Sequence, residues 1–407
     1  MANYGIVIGM ESVKEEVCSL ENLYKAMGAC RKNVSWKESV SNFTRRRLHN
    51  SMELRRELMD ETYKLKPYSI FYVYEPKKRR IVSTRIRDRV FQRSLCDNYF
   101  YKAITKSFVY DNCACQIGKG TNFARDRLKV HLSKFYRQHG THGYVLKIDL
   151  KNYFGSTPHW VAKAAVRKRV HDEWAIREVE RIIDSFSDGE NPNVGMGLGS
   201  QVTQLIELAV LDDIDHYIKE QLRINHYLRY MDDLILIHES KEYLRHCLEE
   251  IEKKLAELEL NINKKKTQIF PIYKPIKFLG FSFILKPSGK IVMLLAPRKL
   301  SHERRKLKKL VDRACNGKMT RENVHQCFIS WSAHASNGNT FKVRQTMKQY
   351  YQHLWEVKFM FEIKTLEDQL IEERKKNVEL QNIVNEQADA LIELAGIIEE
   401  MEVAQNG

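Results

Sequence analysis

Residues 229–237 read RYMDDLILI, and this stretch determines how the rest of the sequence is interpreted. The adjacent carboxylates Asp232 and Asp233 lie between Tyr230-Met231 and an apolar run that is typical of a buried strand. Two like charges beside a strand are costly unless a cation binds close to them. The stretch therefore predicts a strand, a tight turn and a second strand, with a cation site at the turn.

A third carboxylate, Asp149, ends another predicted strand, residues 143–149 (GYVLKID). Strands that deliver carboxylates to one sheet edge form an oxygen-rich site, which suits Mg²⁺ bound through carboxylates and substrate phosphates. Two such ions can clamp an in-line phosphoryl displacement. A pair of aspartates alone is a weak signal for a cation site, since Asp212-Asp213 is expected on the outer face of a helix. The order of the surrounding motifs is what distinguishes Asp232-Asp233 from that pair.

The charge of the chain is large and uneven. The net charge is +16, and residues 364–407 contain four Lys/Arg and eleven Asp/Glu, a local charge of −7, which leaves +23 on residues 1–363. A body this basic favours a polyanionic partner, with nucleic acid first, over a protein that is merely soluble and rich in lysine.

The cysteines and the apolar segments restrict the location of the protein. Eight scattered cysteines, with only Cys113 and Cys115 close together, show no zinc-binding spacing and are expected to be reduced thiols. The first residues lack the basic segment and long apolar core of a signal peptide. No apolar stretch reaches membrane-spanning length. We therefore expect a cytoplasmic protein with no membrane partner.

Hydrophobic periodicity predicts a mixture of helices and strands in the remainder of the chain. The further predicted elements are a helical segment from about Ser39 to Tyr63, a strand at 68–74, a long helix at 200–222 after a glycine-rich loop, a helix at 241–258, a hairpin at 276–295 and basic helices at 298–355.

The C-terminal segment differs in kind from the body. From Ile363, steps of three and four residues reach Met401 through twelve seam positions, of which nine are apolar. A narrow seam of this length predicts a coiled coil, with Asn377 at a position where a buried Asn fixes the register. The acidic flanks favour self-association over one long helix packed on the body.

In their order along the chain, the motifs resemble those of a bacterial reverse transcriptase, an RNA-directed DNA polymerase, over roughly residues 65–355. The likeness is greatest to the diversity-generating-retroelement, retron-like and orphan or defence-associated groups. Residues 330–344 resemble thumbs of the diversity-generating-retroelement enzymes and of related orphan bacterial groups. One block would be weak evidence, whereas many in order are strong. The matching blocks are PKKRRI, RIRDRVFQ, CACQIGKGT, YVLKIDLKNYF, GMGLGSQVTQ, YMDD, NINKKKTQI and KFLGF.

The resemblance implies an α+β fold arranged as a right-hand polymerase, with a palm built on an antiparallel sheet. It also implies cDNA synthesis from dNTPs on an RNA template, from a DNA or RNA primer, by two-metal nucleotidyl transfer. The implied divisions are an N-terminal helical extension (1–64), fingers (65–142), palm (143–290), basic helical thumb (291–358) and a C-terminal coiled-coil helix (363–403).

The resemblance assigns roles to individual residues. Asp149 and Asp232, supported by Asp233, would hold two Mg²⁺ ions, with Mn²⁺ as an alternative. Leu150 would add a backbone carbonyl. Lys266 would donate a proton to the leaving pyrophosphate, although Lys264 and Lys265 are rivals. The nucleotide-binding residues would be Lys77, Arg79, Arg87, Phe154 and Gly199, and the primer grip would be Phe278, Leu279, Gly280 and Phe281.

Phe154 lies where the family places an aromatic gate, and a flat ring there excludes the ribose 2′-hydroxyl sterically. The alternative is a core Phe, a role that we assign to Tyr153 instead. The glycine-rich loop departs from the family pattern, because Gly197 stands where proline is usual and Leu198 where glutamine is frequent. Glycine is more flexible than proline and leucine cannot donate a hydrogen bond, which puts fidelity and base handling in question.

Three functions compete for this sequence: an RNA-directed DNA polymerase, an RNA-binding maturase or scaffold with reduced catalysis, and a template-independent terminal transferase. The intact Asp149, Asp232 and Asp233, together with Phe154, favour the polymerase. The expected setting is a bacterial retroelement or an anti-phage defence system. Residues 363–403 are expected to form a homo-oligomer or to bind a helical partner.

Overall fold

The computed structural model describes residues 12–74, 79–187 and 191–405, and the chain divides into two compact units with the boundary between Val292 and Met293. The first unit combines helices with antiparallel sheets, whereas the second consists mainly of helices. This content agrees with the expected α+β class. Within the described ranges, every helix is too short or too polar to cross a membrane.

Four helices begin the described chain: α1 (Val13–Cys18), α2 (Leu20–Arg31), α3 (Glu38–Arg45) and α4 (Arg47–Met59). The Ser12 side chain accepts a hydrogen bond from the Glu15 backbone while Glu15 accepts one from the Ser12 backbone, a capping box that starts α1. The helical segment expected from Ser39 to Tyr63 is divided at Arg46 into α3 and α4.

A small two-stranded antiparallel sheet follows, formed by β1 (Ser69–Val73) and β2 (Arg79–Ser83). All five residues of β1 are exposed. A helical stretch with a π-helical turn at Cys96–Phe100 comes next. Its α-helices are α5 (Ile86–Leu95) and α6 (Tyr101–Thr105), and α7 (Thr121–His139) follows them.

The central sheet positions the candidate site. Its strands are β3 (Tyr144–Asp149), β4 (His226–Tyr230), β5 (Asp233–His238) and β6 (Gln268–Pro271), in the order β4-β5-β3-β6, and every neighbouring pair is antiparallel. The apolar residues of β3 and β5, such as Ile148 and Leu234, are fully buried. Burial of these apolar runs fixes the register, because a slip of one residue would turn them towards water.

Six α-helices in the described part of the chain lie between these strands in sequence: α8 (Tyr153–Ser156), α9 (His159–Arg167), α10 (Glu173–Asp184), α11 (Gln201–Val210), α12 (Asp212–His216) and α13 (Lys241–Glu257). Of these, α13 packs on β3, β5 and β6. The long helix expected at 200–222 is interrupted at Leu211 and ends in a π-helical turn at Tyr217–Gln221. The expected position of Asp212-Asp213 is correct for Asp213, which is exposed, and wrong for Asp212, which is buried.

A second hairpin joins β7 (Ile276–Phe278) to β8 (Phe281–Leu285) through Leu279 and Gly280. Both turn residues have positive φ, +42° and +92°, which glycine tolerates best. After β8 the chain turns back where the Lys286 backbone N–H donates to the Lys290 carbonyl at 2.9 Å, and β9 (Ile291–Leu295) follows.

The second unit contains α14 (Pro297–Cys315), α15 (Arg321–Ala335) and α16 (Phe341–Gln405). Its small core is formed by Leu307, Val311, Val324, Phe328, Met347 and Tyr351. The ring of Phe328 stacks on Tyr351 at 4.6 Å between centroids. Asn339 is held before α16, because its side-chain oxygen accepts from the Met293 backbone N–H at 2.9 Å.

Candidate active site at the β4–β5 turn

Three carboxylates meet at one end of the central sheet. Asp149 is the last residue of β3, and the antiparallel register places it directly opposite Asp233, the first residue of β5. Asp232 immediately precedes Asp233 in the turn that joins β4 to β5. The acidic cluster, defined here as Asp149, Asp232 and Asp233, is therefore a product of sheet register.

A buried arginine contacts the turn that joins β4 to β5. Arg229 is fully buried, and its guanidinium donates to the carboxylate of Asp215 at 2.6 and 2.7 Å. Burial disfavours the charged guanidinium, but Asp215 outweighs this effect and raises the pKa of Arg229. The same guanidinium donates to the Met231 carbonyl at 3.2 Å. Met231 has φ of +55°, so this contact helps to hold a strained residue beside Asp232.

Two lysines lie against the outer members of the acidic cluster. Lys266 donates to both oxygens of Asp149, at 2.6 and 2.7 Å, and Asn263 donates to one of them at 3.1 Å. Lys147 lies 3.1 Å from Asp233. All three rival lysines are exposed, and Lys266 is the one held at the acidic cluster, through its contacts with Asp149.

Asp232 experiences a different environment. Burial raises the pKa of its carboxyl, and the charges of Asp233 and Asp149 raise it further. A carboxylate pair that resists ionisation is stabilised by a bound cation. Oxygen donors of this kind are the preferred ligands of Mg²⁺, so the residues present fit a divalent ion. Within the described ranges, no set of three His, Cys, Asp or Glu residues already has metal-ligand geometry.

A buried glutamate lies behind the acidic cluster. Glu207 of α11 is fully buried, and its Oε2 accepts a hydrogen bond from the Thr157 hydroxyl at 3.0 Å. The Tyr153 hydroxyl donates to the Glu207 backbone carbonyl at 2.6 Å. Burial, with a smaller contribution from the charge of Asp232, raises the pKa of Glu207 to about 8 in spite of hydrogen bonds from Thr157 and Tyr153.

The glycine-rich loop is hydrogen bonded to the segment that carries Phe154. The Met196 backbone N–H donates to the Phe154 carbonyl at 2.6 Å, and the Gly195 N–H donates to the Thr157 carbonyl at 2.9 Å. A side chain at Gly197 would collide with the ring of Phe186, since an added Cβ would lie 2.2 Å from it. This close approach explains why a larger residue is excluded at Gly197.

Gly199 and Phe154 occupy different surroundings. Gly199 has φ of +118°, a conformation that favours glycine, and an added Cβ there would lie 3.7 Å from the Val82 carbonyl of β2. Phe154 is half-buried and contacts the ring of Tyr153 edge-on at 5.9 Å. Tyr153 is buried in the core, in agreement with the core role expected for it.

The expected phosphate-binding cations are not all assembled at the acidic cluster. Lys77 lies outside the described residues. Arg79 is the exposed first residue of β2. Arg87 is turned towards α4, where it pairs with Glu57 and lies over the Tyr63 ring at 4.7 Å. The contacts of Arg87 are therefore those of a packing residue.

The expected primer grip forms the β7–β8 turn. Phe278 and Phe281 are buried, so their side chains pack the hairpin. Arg125 of α7 lies over the Phe281 ring at 4.8 Å and donates to the Leu279 carbonyl at 3.1 Å. The turn backbone is thus anchored on α7.

Sequence reasoning missed several supporting residues. Lys147 could have been found, because it lies two residues before Asp149 and alternation places both on one face of β3. Leu150, expected to offer a carbonyl, is buried and forms an isolated bridge with Ile262. The Arg229–Asp215 pair and Glu207 carry no local sequence signal, since their partners come from other elements.

Comparison with known proteins gives one match by sequence family. A sequence model of the family described as reverse transcriptase (RNA-dependent DNA polymerase) matches residues 75–283, about half of the chain. No curated protein matches.

Two solved structures are similar at low identity. The structure of apo telomerase from Candida tropicalis has 14% identity and a TM-score of 0.42, with 56% of this chain and 49% of that chain covered. The same telomerase truncated from its C-terminal domain has 13% identity and a TM-score of 0.42, with 60% of each chain covered. The chain thus spans between half and three fifths of the length of those structures.

Proposed function

The chain belongs to the reverse transcriptase (RNA-dependent DNA polymerase) family, and we propose that it synthesises DNA on an RNA template at the acidic cluster. The observation that carries the proposal is the β3–β5 register, which sets Asp149 opposite Asp233 with Asp232 beside them. The substrates are dNTPs and a DNA or RNA primer. In this proposal residues 65–142 are the fingers, 143–290 the palm and 291–358 the thumb, after an N-terminal extension (1–64).

The carboxylates of the acidic cluster are the proposed ligands of two Mg²⁺ ions, or of Mn²⁺, with the Leu150 carbonyl as an additional ligand. When bound, such ions activate the attacking 3′ oxygen and stabilise the leaving pyrophosphate. The protein's own part is to hold the ligands rigidly. Arg229 fixes the Met231 carbonyl, and strand pairing fixes Asp149 against Asp233.

Lys266 is the proposed general acid. Its ammonium is already held at Asp149 by contacts of 2.6 and 2.7 Å, so a proton on Nζ lies beside the reacting groups. Proton transfer from a positioned side chain to a leaving group lowers the barrier to its departure. Arg79, with Lys77, is proposed to neutralise the triphosphate, and Gly199 leaves room for the nucleotide. The β7–β8 turn, Phe278 to Phe281, is proposed to position the primer end.

Primer extension tests the activity. Purified protein with Mg²⁺, dNTPs and a primed RNA template should yield cDNA of template length. Products without RNA would instead support a terminal transferase, and the absence of any product would support a maturase or scaffold. A primed DNA template of identical sequence measures the preference for RNA.

Phe154 is proposed to exclude ribonucleotides. Replacing its ring, Phe154→Val, should raise the relative use of rNTPs by about 10–200-fold, the range for a change of shape in an apolar pocket. Phe154→Tyr keeps the ring and serves as the matched control. Equal dNTP selectivity in wild type and Phe154→Val would contradict the gate.

Residues 363–403 are proposed to form a coiled coil that joins copies of the chain or binds a helical partner. They lie within the continuous helix α16, and seam residues Leu366, Leu370 and Leu380 are each more than half exposed. Mass in solution should fall to that of a monomer when residues 363–407 are removed. An unchanged mass would contradict self-association.

The proposed setting is a bacterial retroelement or an anti-phage defence system. The support is the resemblance of the motifs, and genomic neighbours test it. A variable target gene with repeats, a toxin gene or a gene for a structured RNA would each select one setting.

A further inference from the structure

A basic pocket of about 580 Å³ lies at the end of β4 that is remote from the acidic cluster. Four steps of a strand separate His226, at the start of β4, from Tyr230, which corresponds to about 13 Å. The basic pocket is defined here by Arg127, His131, Lys134, Arg137, Lys219 and His226.

Cations exceed carboxylates in the basic pocket. Asp111 is the single carboxylate among the residues that line it. Its oxygens are occupied by Arg127 at 2.6 Å and His131 at 3.2 Å. Burial alone would raise the pKa of Asp111, but these two contacts outweigh it and lower the pKa to about 2. Asp111 is therefore ionised, and its charge is taken up by Arg127 and His131.

The other three cations have no carboxylate partner in the described part of the chain. Lys134 and Arg137 are exposed, on one face of α7. Lys219 donates to the Asn225 backbone carbonyl at 3.3 Å, which leaves its charge uncompensated. Three unbalanced positive charges around one concave site attract an anion.

Two histidines, His131 and His226, lie close together in the basic pocket. His131 is 4% exposed, and its Nδ1, like that of His226, is buried with no hydrogen-bond partner among the described residues. The two rings lie edge to face at 5.8 Å. Burial, together with the charges of His131, His139, Lys219 and Lys134, lowers the pKa of His226 to about 4. His139 itself pairs with Glu239 at 2.7 Å.

We propose that the basic pocket binds phosphate groups, and that these belong to the backbone of RNA lying outside the active site. Phosphate is the chemical class that three convergent Lys and Arg side chains recognise. The exposed positions of Lys134 and Arg137 leave the pocket open to a polymer. The charge of +23 on residues 1–363 favours a polyanion over a small anion. Binding here requires no catalysis, so it survives loss of the acidic cluster.

Salt dependence of RNA binding tests the proposal directly. Each phosphate contact that is lost lowers the slope of log affinity against log salt by about 0.7 for single strands. The double variant Lys134→Ala/Arg137→Ala should therefore lower the slope for oligouridylate by about 1.4. The charge-matched control is Lys129→Ala/Lys253→Ala, which removes two lysines outside the pocket that pair with Asp126 and Glu250. Equal slopes in both variants would overturn the proposal.

The His226 pKa provides a second test, because it changes on adding a ligand only if the ligand binds in the basic pocket. It is followed by NMR in histidine-labelled protein, with the signal assigned through His226→Gln. Oligouridylate should raise the His226 pKa above about 4, because bound phosphate offsets the neighbouring cations. If inorganic phosphate raises the His226 pKa and oligouridylate does not, the pocket binds phosphate but not the RNA backbone. If neither ligand raises the pKa, the basic pocket is not a phosphate site.

The same measurements on Asp232→Asn/Asp233→Asn separate this proposal from the proposed activity. That variant should keep the oligouridylate slope and the His226 shift while it loses polymerisation. Loss of RNA binding at the basic pocket in that variant would contradict an independent site.

Discussion

The chain contains the dipeptide Asp-Asp twice, and the two copies lie in different electrostatic environments. Asp212-Asp213 is the helical copy, in α12, and Asp232-Asp233 is the turn copy, at the turn between β4 and β5. Asp212 is buried against Arg169 at 2.9 Å, while Asp213 is exposed and pairs with Lys168 at 2.8 Å and with Arg169 at 3.0 Å. Asp232 instead has its pKa raised by burial and by two neighbouring carboxylates, and lies in a turn between strands. Both carboxylates of the helical copy pair with the protein's own cations, whereas in the turn copy Asp233 pairs with Lys147 and Asp232 has no ion pair among the described residues.

The difference shows what distinguishes a structural acidic pair from a functional one. Dipeptide identity is the same, but the helical copy has a buried arginine as a permanent counter-ion. In the turn copy, burial and like charges concentrate negative potential at a sheet edge, which a substrate-bound cation can relieve. Substitutions matched between the two copies therefore test the interpretation.

Lys266 of the acidic cluster and Lys168 of the helical copy should give the largest contrast. Lys266→Ala should lower kcat by about 10²–10⁴-fold, because it removes the proposed general acid. Lys168→Ala should leave kcat unchanged and cost less than about 1 kcal/mol of stability, since both partners of its ion pair are more than half exposed. Steady-state primer extension measures both variants. A large loss of activity in Lys168→Ala, or none in Lys266→Ala, would break the comparison.

Asp212→Asn should destabilise the fold without changing catalysis. It leaves the guanidinium of Arg169 buried with only Asp213 as a counter-ion, and such a loss costs about 3 kcal/mol. Urea unfolding at neutral pH measures the change, with Asp213→Asn as the mild control. An equal kcat per folded molecule is expected, and a selective catalytic defect would argue that the helical pair takes part in the reaction.

Glu207 should give an effect of a different kind, a pH dependence of stability to which the charge of Asp232 in the turn copy contributes. The unfolded chain ionises this group near 4.5, whereas its pKa is about 8 in the folded protein. Between these values the folded state binds more protons, so the free energy of unfolding falls as pH rises, by on the order of 1 kcal/mol per unit. Glu207→Gln cannot ionise and should remove this contribution. If the free energy of unfolding of the wild type and of Glu207→Gln changes in parallel from pH 5 to about 8, Glu207 is not a buried neutral acid in the folded protein.

Sequence patterns were sufficient for the strands and for the order of the motifs. The apolar runs of β3 and β5 predict buried strands, and the pairing of their ends then brings Asp149 to Asp233. The seam of the C-terminal segment predicts a helix, and α16 is continuous through it. These features are local, so a single stretch of sequence carries each of them.

Long-range partners could not be predicted in the same way. Arg169 lies 43 residues before Asp212, and Asp215 lies 14 residues before Arg229. Local sequence patterns therefore do not predict either buried ion pair. The attachment of Arg87 to α4 is missed for the same reason. Motif matching assigns a residue to a role, but only packing shows whether its side chain is already occupied.

The acidic cluster is tested most directly by Asp232→Asn/Asp233→Asn in primer extension on an RNA template with Mg²⁺. Circular dichroism and thermal unfolding confirm that the variant folds, and Asp213→Asn serves as the control. The account predicts that cDNA synthesis falls by at least about 10³-fold in the double variant and stays at the wild-type level in the control. Full activity in the double variant would contradict the assignment of the active site.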